Sequence, residues 1–355
     1  MFKKAVILAT LVVSGSARAQ RVEVRVDPRI ELFSILFHLA GREEYNMTGI
    51  PRWTSAVASH FAQYKTHAAM QTTTTLATTR RVGFFVPINL AVHVGQPPQF
   101  ADRAPAGGTT SLHRTWSTFP DSTRGYVATV RQFAADVGYA GFLSAQSALI
   151  DSAQQRMQRL LPVIDQTWLN RFWGGTPKSD LYLVPGLTTG RASYGVEFTP
   201  VTGTAEAYAV IGVTKVDAAG FPAFDTSTVT TILHEMNHPY VTPLVRQHLA
   251  QFAGFGDSLY ARVAQKMRAQ YYGTWDAVLN ESLVRAAVVR YLASHGRTAD
   301  AEETTRAEIT AGFIWTRELA ALLAEYEANR STYPAFADFM PRVVAFFREY
   351  ASRAS

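Results

Sequence analysis

The chain has no cysteine. Disulfides are therefore excluded, and a metal site could draw only on histidine, aspartate and glutamate. That donor set suits zinc and other borderline ions rather than soft-metal chemistry. A strong charge imbalance is also lacking. The formal net charge is +6, three of the cations (Lys3, Lys4 and Arg18) fall in the first nineteen residues, and no lysine/arginine run follows. Nucleic-acid binding thus has no electrostatic footprint, and no nucleic-acid partner is expected. Apolar runs long enough to span a bilayer are missing as well. The run Ala5 to Val13 follows the basic start and precedes Ala17-Arg18-Ala19. It is shorter than the ~20 residues of a membrane span. Residues 1–19 read as a secretory signal peptide cut before Gln20. Export follows, to the periplasm or the extracellular medium, with no stable membrane span afterwards.

Hydrophobic residues make up 47% of the chain, enough for a large core in a protein without disulfides. No repeat is found, and residues 20–355 read as one domain, divided near residue 238. From Asp27 to about Gln71 the periodicity is helical, with Trp53, Val57, Phe61 and Tyr64 at spacings of three and four. Thr72 to Thr75 and Pro97 to Thr110 read as loops, and Val82 to Val94 as an extended buried segment. Long helices are expected between Asp121 and Phe172, one of them Phe142 to Leu161. Three strands follow at Leu181–Val184, Tyr194–Thr199 and Ala207–Thr214. Asp225-Thr226-Ser227 then opens another helix. From Tyr240 onward the pattern is helical, in segments Val241–Met267, Asp276–Ser294, Ile309–Glu327 and Phe336–Ser352. The expected class is α+β, mostly helical, with a small mixed sheet ahead of the central helix and a helical C-terminal part.

That central helix carries His234-Glu235-Met236-Asn237-His238, an HExxH pattern. Residues i and i+4 of a helix share one face, about 6 Å apart along the axis, so two imidazoles can share one ion. The glutamate between them is placed to take a proton from water beside that ion. At this histidine and glutamate content, chance alone yields the pattern in roughly one such chain in a hundred. Pro239 follows at once and, lacking an N–H, predicts that the helix ends or kinks after His238.

A catalytic zinc needs a third protein ligand. A histidine six residues past the second is excluded, because Leu244 stands there, and His248 fits no pattern. Asp276 is one option, though it reads better as a helix N-cap. Glu281 is the stronger one. Ala277, Val278, Val284 and Val288 share its helix face, so its carboxylate is predicted to be buried and to need a cation. Arg285, one turn on, could supply that charge with no metal at all. His38, His60, His67, His93, His113 and His295 have no partners at useful spacing.

HExxH with a glutamate on a later helix resembles the gluzincin branch of zinc metallopeptidases. Over more of its length the chain resembles a family of secreted bacterial proteins known as domain of unknown function 4932. Val26 to Leu32, the helix to Glu44-Tyr45, His234 to Tyr240, and Asn280-Glu281 with Arg285-Ala286 carry that likeness. The resemblance implies a zincin-like sheet and active-site helix, one zinc ion held by His234, His238 and Glu281, and Glu235 as catalytic base. Gluzincins often have an acidic residue where Arg285 stands. The expected activity is hydrolysis of a peptide or protein substrate. The strand Ala207–Thr214 is a candidate to pair with that substrate; no hydrogen-bond donor carries over from the family pattern, and Tyr240, Tyr271 and Tyr272 are the candidates in this sequence. An exported scaffold with a structural zinc, or a metal hydrolase acting on another bond, remains open.

Overall fold

The computed structural model describes residues 20–353 except 48, 102, 104–119 and 201, with the backbone alone for 120–124. Residues 1–19, expected to be a signal peptide, His113 and part of the stretch 97–110 lie outside them. A four-stranded mixed sheet divides the molecule. Its strands are β1 (Val22–Val24), β2 (Asp180–Gly186), β3 (Tyr194–Phe198) and β4 (Glu206–Gly212), in the order β1-β2-β4-β3. β1, β2 and β4 are parallel, and β3 runs antiparallel to β4 with Gly195 opposite Ala209 and Glu197 opposite Ala207.

Both faces of β2 and β4 are buried, which explains their continuous apolar runs, whereas β3 alternates buried and exposed residues. Leu181, Leu183, Ala207, Ala209 and Ile211 face one core, shared with the long helix Thr226–Phe252 and the C-terminal helices. Tyr182, Val184, Tyr208, Val210, Tyr194, Val196 and Phe198 face the other, built with the N-terminal helices. The expected α+β class holds, mostly helical with a small mixed sheet. β1, from the start of the described chain, joins that sheet.

Several local expectations fail for identifiable reasons. Thr72–Thr75 lie within the helix Ala68–Thr78, where Thr73 and Thr75 hydroxyls bond the carbonyls four residues back. Val86–Val92 is a short helix with proline in its first turn, not an extended segment. Phe142–Leu161 divides into Tyr139–Ala145 and Ser147–Gln158, and the stretch past Phe252 into Gly256–Ala261 and Ala264–Ala269. Ile309–Glu327 breaks at Gly312, whose φ of 116° separates Thr298–Ala311 from Thr316–Ala328.

The largest departure is at Pro239. The helix Thr226–Phe252 passes through both Pro239 and Pro243 without ending. An interior proline costs about 3 kcal/mol. Against that, Val229, Ile232, Leu233, Met236, Tyr240, Val241, Val245 and Phe252 are all buried, each contributing roughly 2 kcal/mol. Tertiary packing outweighs the local preference. Asn237, fully buried, adds a bond from Nδ2 to the Leu233 carbonyl (2.7 Å) and accepts one from Trp173 Nε1 (2.8 Å).

A second buried polar network fixes the approach to β3. Asp27 caps the helix Pro28–Leu39 and holds Arg29 at 2.6 Å. In that helix Glu31, fully buried, accepts hydrogen bonds from Leu187 N (2.8 Å) and Thr188 Oγ1 (2.7 Å), while Trp53 Nε1 donates to the same hydroxyl oxygen. The loop between β2 and β3 is thereby tied to the N-terminal helices. Burial pushes the Glu31 carboxyl up to about 7, against the pull of those donors. An acid with a raised folded-state pKa stabilises fully below its unfolded pKa and loses that contribution as pH rises through about 7. Glu31→Gln stays neutral throughout. Its stability deficit relative to wild type should therefore shrink between pH 5 and pH 8, as read from denaturant midpoints.

Candidate metal centre

Asp225 starts the long helix with a reciprocal cap. Its carboxylate accepts from Ser227 N, and Thr228 Oγ1 accepts from Asp225 N. Two turns later His234 and His238 emerge on one face. Their Nε2 atoms lie 3.3 Å apart. The third member comes from the helix Trp275–Ser294, packed against this one, where Glu281 is 9% exposed. Glu281 Oε2 stands 3.4 Å from His234 Nε2, and Oε1 stands 3.4 Å from His238 Nε2. Among the described residues, these three form the one group of His, Asp or Glu side chains able to hold a metal ion.

The triangle has the right size. Zinc–nitrogen bonds are about 2.0–2.1 Å, and tetrahedral ligands then lie about 3.3–3.4 Å apart. The alternative is hydrogen bonding within the group, and beyond the contact between the two Nε2 atoms it leaves the carboxylate unsatisfied. Glu281 Oε2 is buried without a hydrogen-bond partner, although Arg285 Nη2 approaches to 3.3 Å. Neither that contact nor the one to His234 has hydrogen-bond geometry. An unsatisfied buried carboxylate oxygen facing two imidazole nitrogens is what a cation would satisfy. The donor set fits zinc.

Arg285 does not supply that cation alone. Its Nη1 lies 2.6 Å from Glu308 Oε2, and Nη2 also donates to Tyr272 Oη (3.2 Å). Its charge is thus shared between Glu308 and Glu281. The expected helix pair exists, but Glu308, from the helix Thr298–Ala311, takes the shorter contact. That role was invisible in sequence because nothing links positions 285 and 308 before folding.

Asn280 supports His238. Its Nδ2 stands 3.3 Å from His238 Nδ1, while its own Oδ1 is buried without a partner. Amide oxygen and nitrogen have the same shape, so turning the group lets Oδ1 accept from Nδ1–H. That tautomer directs the lone pair of Nε2 at the ion. Burial also favours neutral His238, drawing its pKa down to about 4 against the opposing charge of Glu281. At His234 burial opposes protonation too, but the neighbouring Glu281 prevails and the net shift is upward. Glu281 itself is held well below the carboxylate range. Burial would raise it, and His234, His238 and Arg285 overcome that.

Glu235 is not part of the triangle. It is 7% exposed and turned toward β3. Burial, reinforced by Glu281, pushes its carboxyl up to about 7, with His234 and Arg285 pulling the other way. Gly195 leaves the room it needs, since a Cβ there would lie 2.8 Å from Glu235 Oε2. A glycine inside a strand is a known sign of close approach, yet sequence reasoning passed over this one. Group and strand border a cleft of about 1740 Å³.

The remaining sequence candidates fall outside the triangle. Asp276 lies in the first turn of its helix, with Thr274 at the N-cap position, and joins no metal group. His38, His60, His67, His93, His248 and His295 each use a ring nitrogen locally. Tyr240 points away from the cleft, bonding Gln166 and Asn170. Tyr271 is 69% exposed and packs against Phe84 with the two rings tilted, both lining the cleft. Tyr272 alone of the three tyrosines stands beside the triangle, through Arg285.

Two histidines and a glutamate on packed helices, with a second glutamate alongside, define a candidate metal centre in an α+β protein. The profile described as "Domain of unknown function (DUF4932)" matches residues 22–346. The chain belongs to that family. No curated protein and no solved structure matches it. Among the described residues no helix is long and apolar enough to cross a membrane.

The purified protein should bind one zinc ion per chain. Glu281→Ala should abolish stoichiometric binding, and Asn280→Ala should weaken it by about 10–100-fold, measured by competition with a chromogenic chelator.

Proposed function

We propose that this chain is an exported, zinc-dependent peptide hydrolase of zincin type. The observation that carries the reading is the position of Glu235. A carboxylate outside the ligand triangle, with its pKa raised to about 7, borders both the ion site and an open cleft. A purely structural zinc is closed by a fourth protein ligand. Among the described residues the group has three.

When bound, zinc would polarise the scissile carbonyl and acidify a water molecule. His234, His238 and Glu281 would hold it, with Asn280 orienting His238. Glu235 accepts the proton of the attacking water and returns it to the departing amine. Tyr272 is the best-placed donor for the oxygen that gains charge. Its hydroxyl oxygen accepts from Arg285, which leaves its own proton to give.

The substrate would lie along β3 rather than β4. β4 is flanked on both sides by β2 and β3, so the expected pairing at 207–214 has no free edge. β3 is the edge strand, and residues 193–197 line the cleft. An extended peptide adding there would bring a backbone carbonyl past Gly195, Glu235 and the ion site. The apolar run and cleavage pattern of residues 1–19 support export.

Glu235→Gln should retain one zinc and lose hydrolysis of a mixed-peptide digest by at least about 100-fold. A chelator should stop the wild-type reaction, and zinc should restore it. Undiminished cleavage by the Gln variant would overturn the mechanism.

A further inference from the structure

Beyond the metal centre, the cleft carries a carboxylate with no assigned task. Residues two apart in a strand share a face. Gly195 and Glu197 stand opposite Ala209 and Ala207, which face the core shared with the long helix. Both therefore sit on the cleft side of β3 nearest Glu235. No hydrogen bond or ion pair reaches the Glu197 carboxylate among the described residues. Its nearest balancing charge is Arg246, on the same long helix, beyond ion-pair distance.

The side chain is accessible to solvent, yet cleft walls crowd it. That crowding raises its pKa above the usual carboxylate range, with Arg246 opposing. Some other charged side chains lining the cleft are engaged with one another, although Arg246 and Glu303, like Glu197, form no ion pair among the described residues. Arg285 holds Glu308, and Arg297 holds Asp300 at 2.7 Å. Glu197 is an anion left open to whatever enters.

We propose that Glu197 forms a specificity subsite for a positively charged side chain, lysine or arginine, of an extended peptide bound along β3. This rests on the cleft being the peptide-binding site of a hydrolase. The strand register fixes where that side chain falls. A peptide residue opposite Gly195 lies against Glu235 and the ion site. The residue opposite Glu197 is two positions away along the peptide and projects to the same face. Directly opposed cross-strand side chains come within about 5 Å at Cβ, close enough for an ammonium or guanidinium group to meet the carboxylate.

The test uses zinc-loaded Glu235→Gln protein, so that peptides bind without being cut. The probes are N-acetylated hexapeptides with a C-terminal fluorophore, carrying lysine, alanine or glutamate at each position in turn, read by fluorescence anisotropy. At one position lysine should bind about fivefold tighter than alanine. The added substitution Glu197→Gln should erase that difference, and Glu197→Lys should transfer the preference to glutamate. Equal binding of lysine and alanine peptides, a lysine preference that survives Glu197→Gln, or no saturable binding of any peptide would overturn the subsite. So would a preference seen only with free α-amino peptides.

Cleavage by wild-type protein separates this from the reading beneath it. A Glu197-dependent lysine preference in binding, without hydrolysis by zinc-loaded wild type, sustains the subsite and defeats the hydrolase. Hydrolysis with no preference at any position does the reverse.

Discussion

The site depends on one packing contact, that of the helix Thr226–Phe252 against the helix Trp275–Ser294. It sets the distance between two histidines and a carboxylate 43 positions beyond the second of them. Both helices are held from behind. Asn237 is locked between Trp173 and the Leu233 carbonyl, and Ser282 accepts from the Trp315 indole at 2.8 Å. Neighbours of the ligands on each helix are thus fixed by buried hydrogen bonds. A shift of half an ångström between the helices would spoil a triangle whose sides are 3.3–3.4 Å. Preorganisation of this kind lets a cation be bound without rearranging the core.

The sheet supplies the second half of the arrangement. Its central strands β2 and β4 are buried on both faces, so its position is set by two cores rather than one. The buried bonds from Leu187 and Thr188 to Glu31 anchor the loop that delivers β3. A residue near the start of the chain therefore influences where Gly195 passes Glu235. The two glutamates share an elevated pKa of about 7 for the same reason, burial, while serving different ends. Glu31 has donors on both oxygens. Glu235 faces the cleft.

Much of the site was legible in the sequence because its signals are local. The spacing of His234 and His238 follows from helix geometry alone. The apolar neighbours of Glu281 point to a buried carboxylate, and Val278, Val284 and Val288 are indeed among the least exposed residues of their helix, while Ala277 is half-buried. What could not be read depends on contacts between distant segments. Glu308 beside Arg285, the passage of β3 by Glu235, and the interior place of β4 all arise only on folding. Of the end or kink expected at Pro239, the end does not occur, for a related reason. Local proline chemistry is visible in sequence, whereas the eight buried side chains that outweigh it are not recognisable as one face until the core exists. The four threonines at 72–75 misled in the same way, since the helical hydrogen bonds of two of their hydroxyls are not evident from composition.

The exposed edge of β3 has a wider meaning. An unpaired strand edge normally invites association with other sheets, and proteins usually blunt it with charge, twist or a covering element. Here the open edge lies inside a cleft whose walls are helices from both halves of the chain. On the proposed peptide-hydrolase reading, such a recess would select by conformation before it selects by sequence. A single extended strand would pair with the edge where a folded neighbour could not, so the same walls that shield the edge from self-association would sort what reaches the metal site.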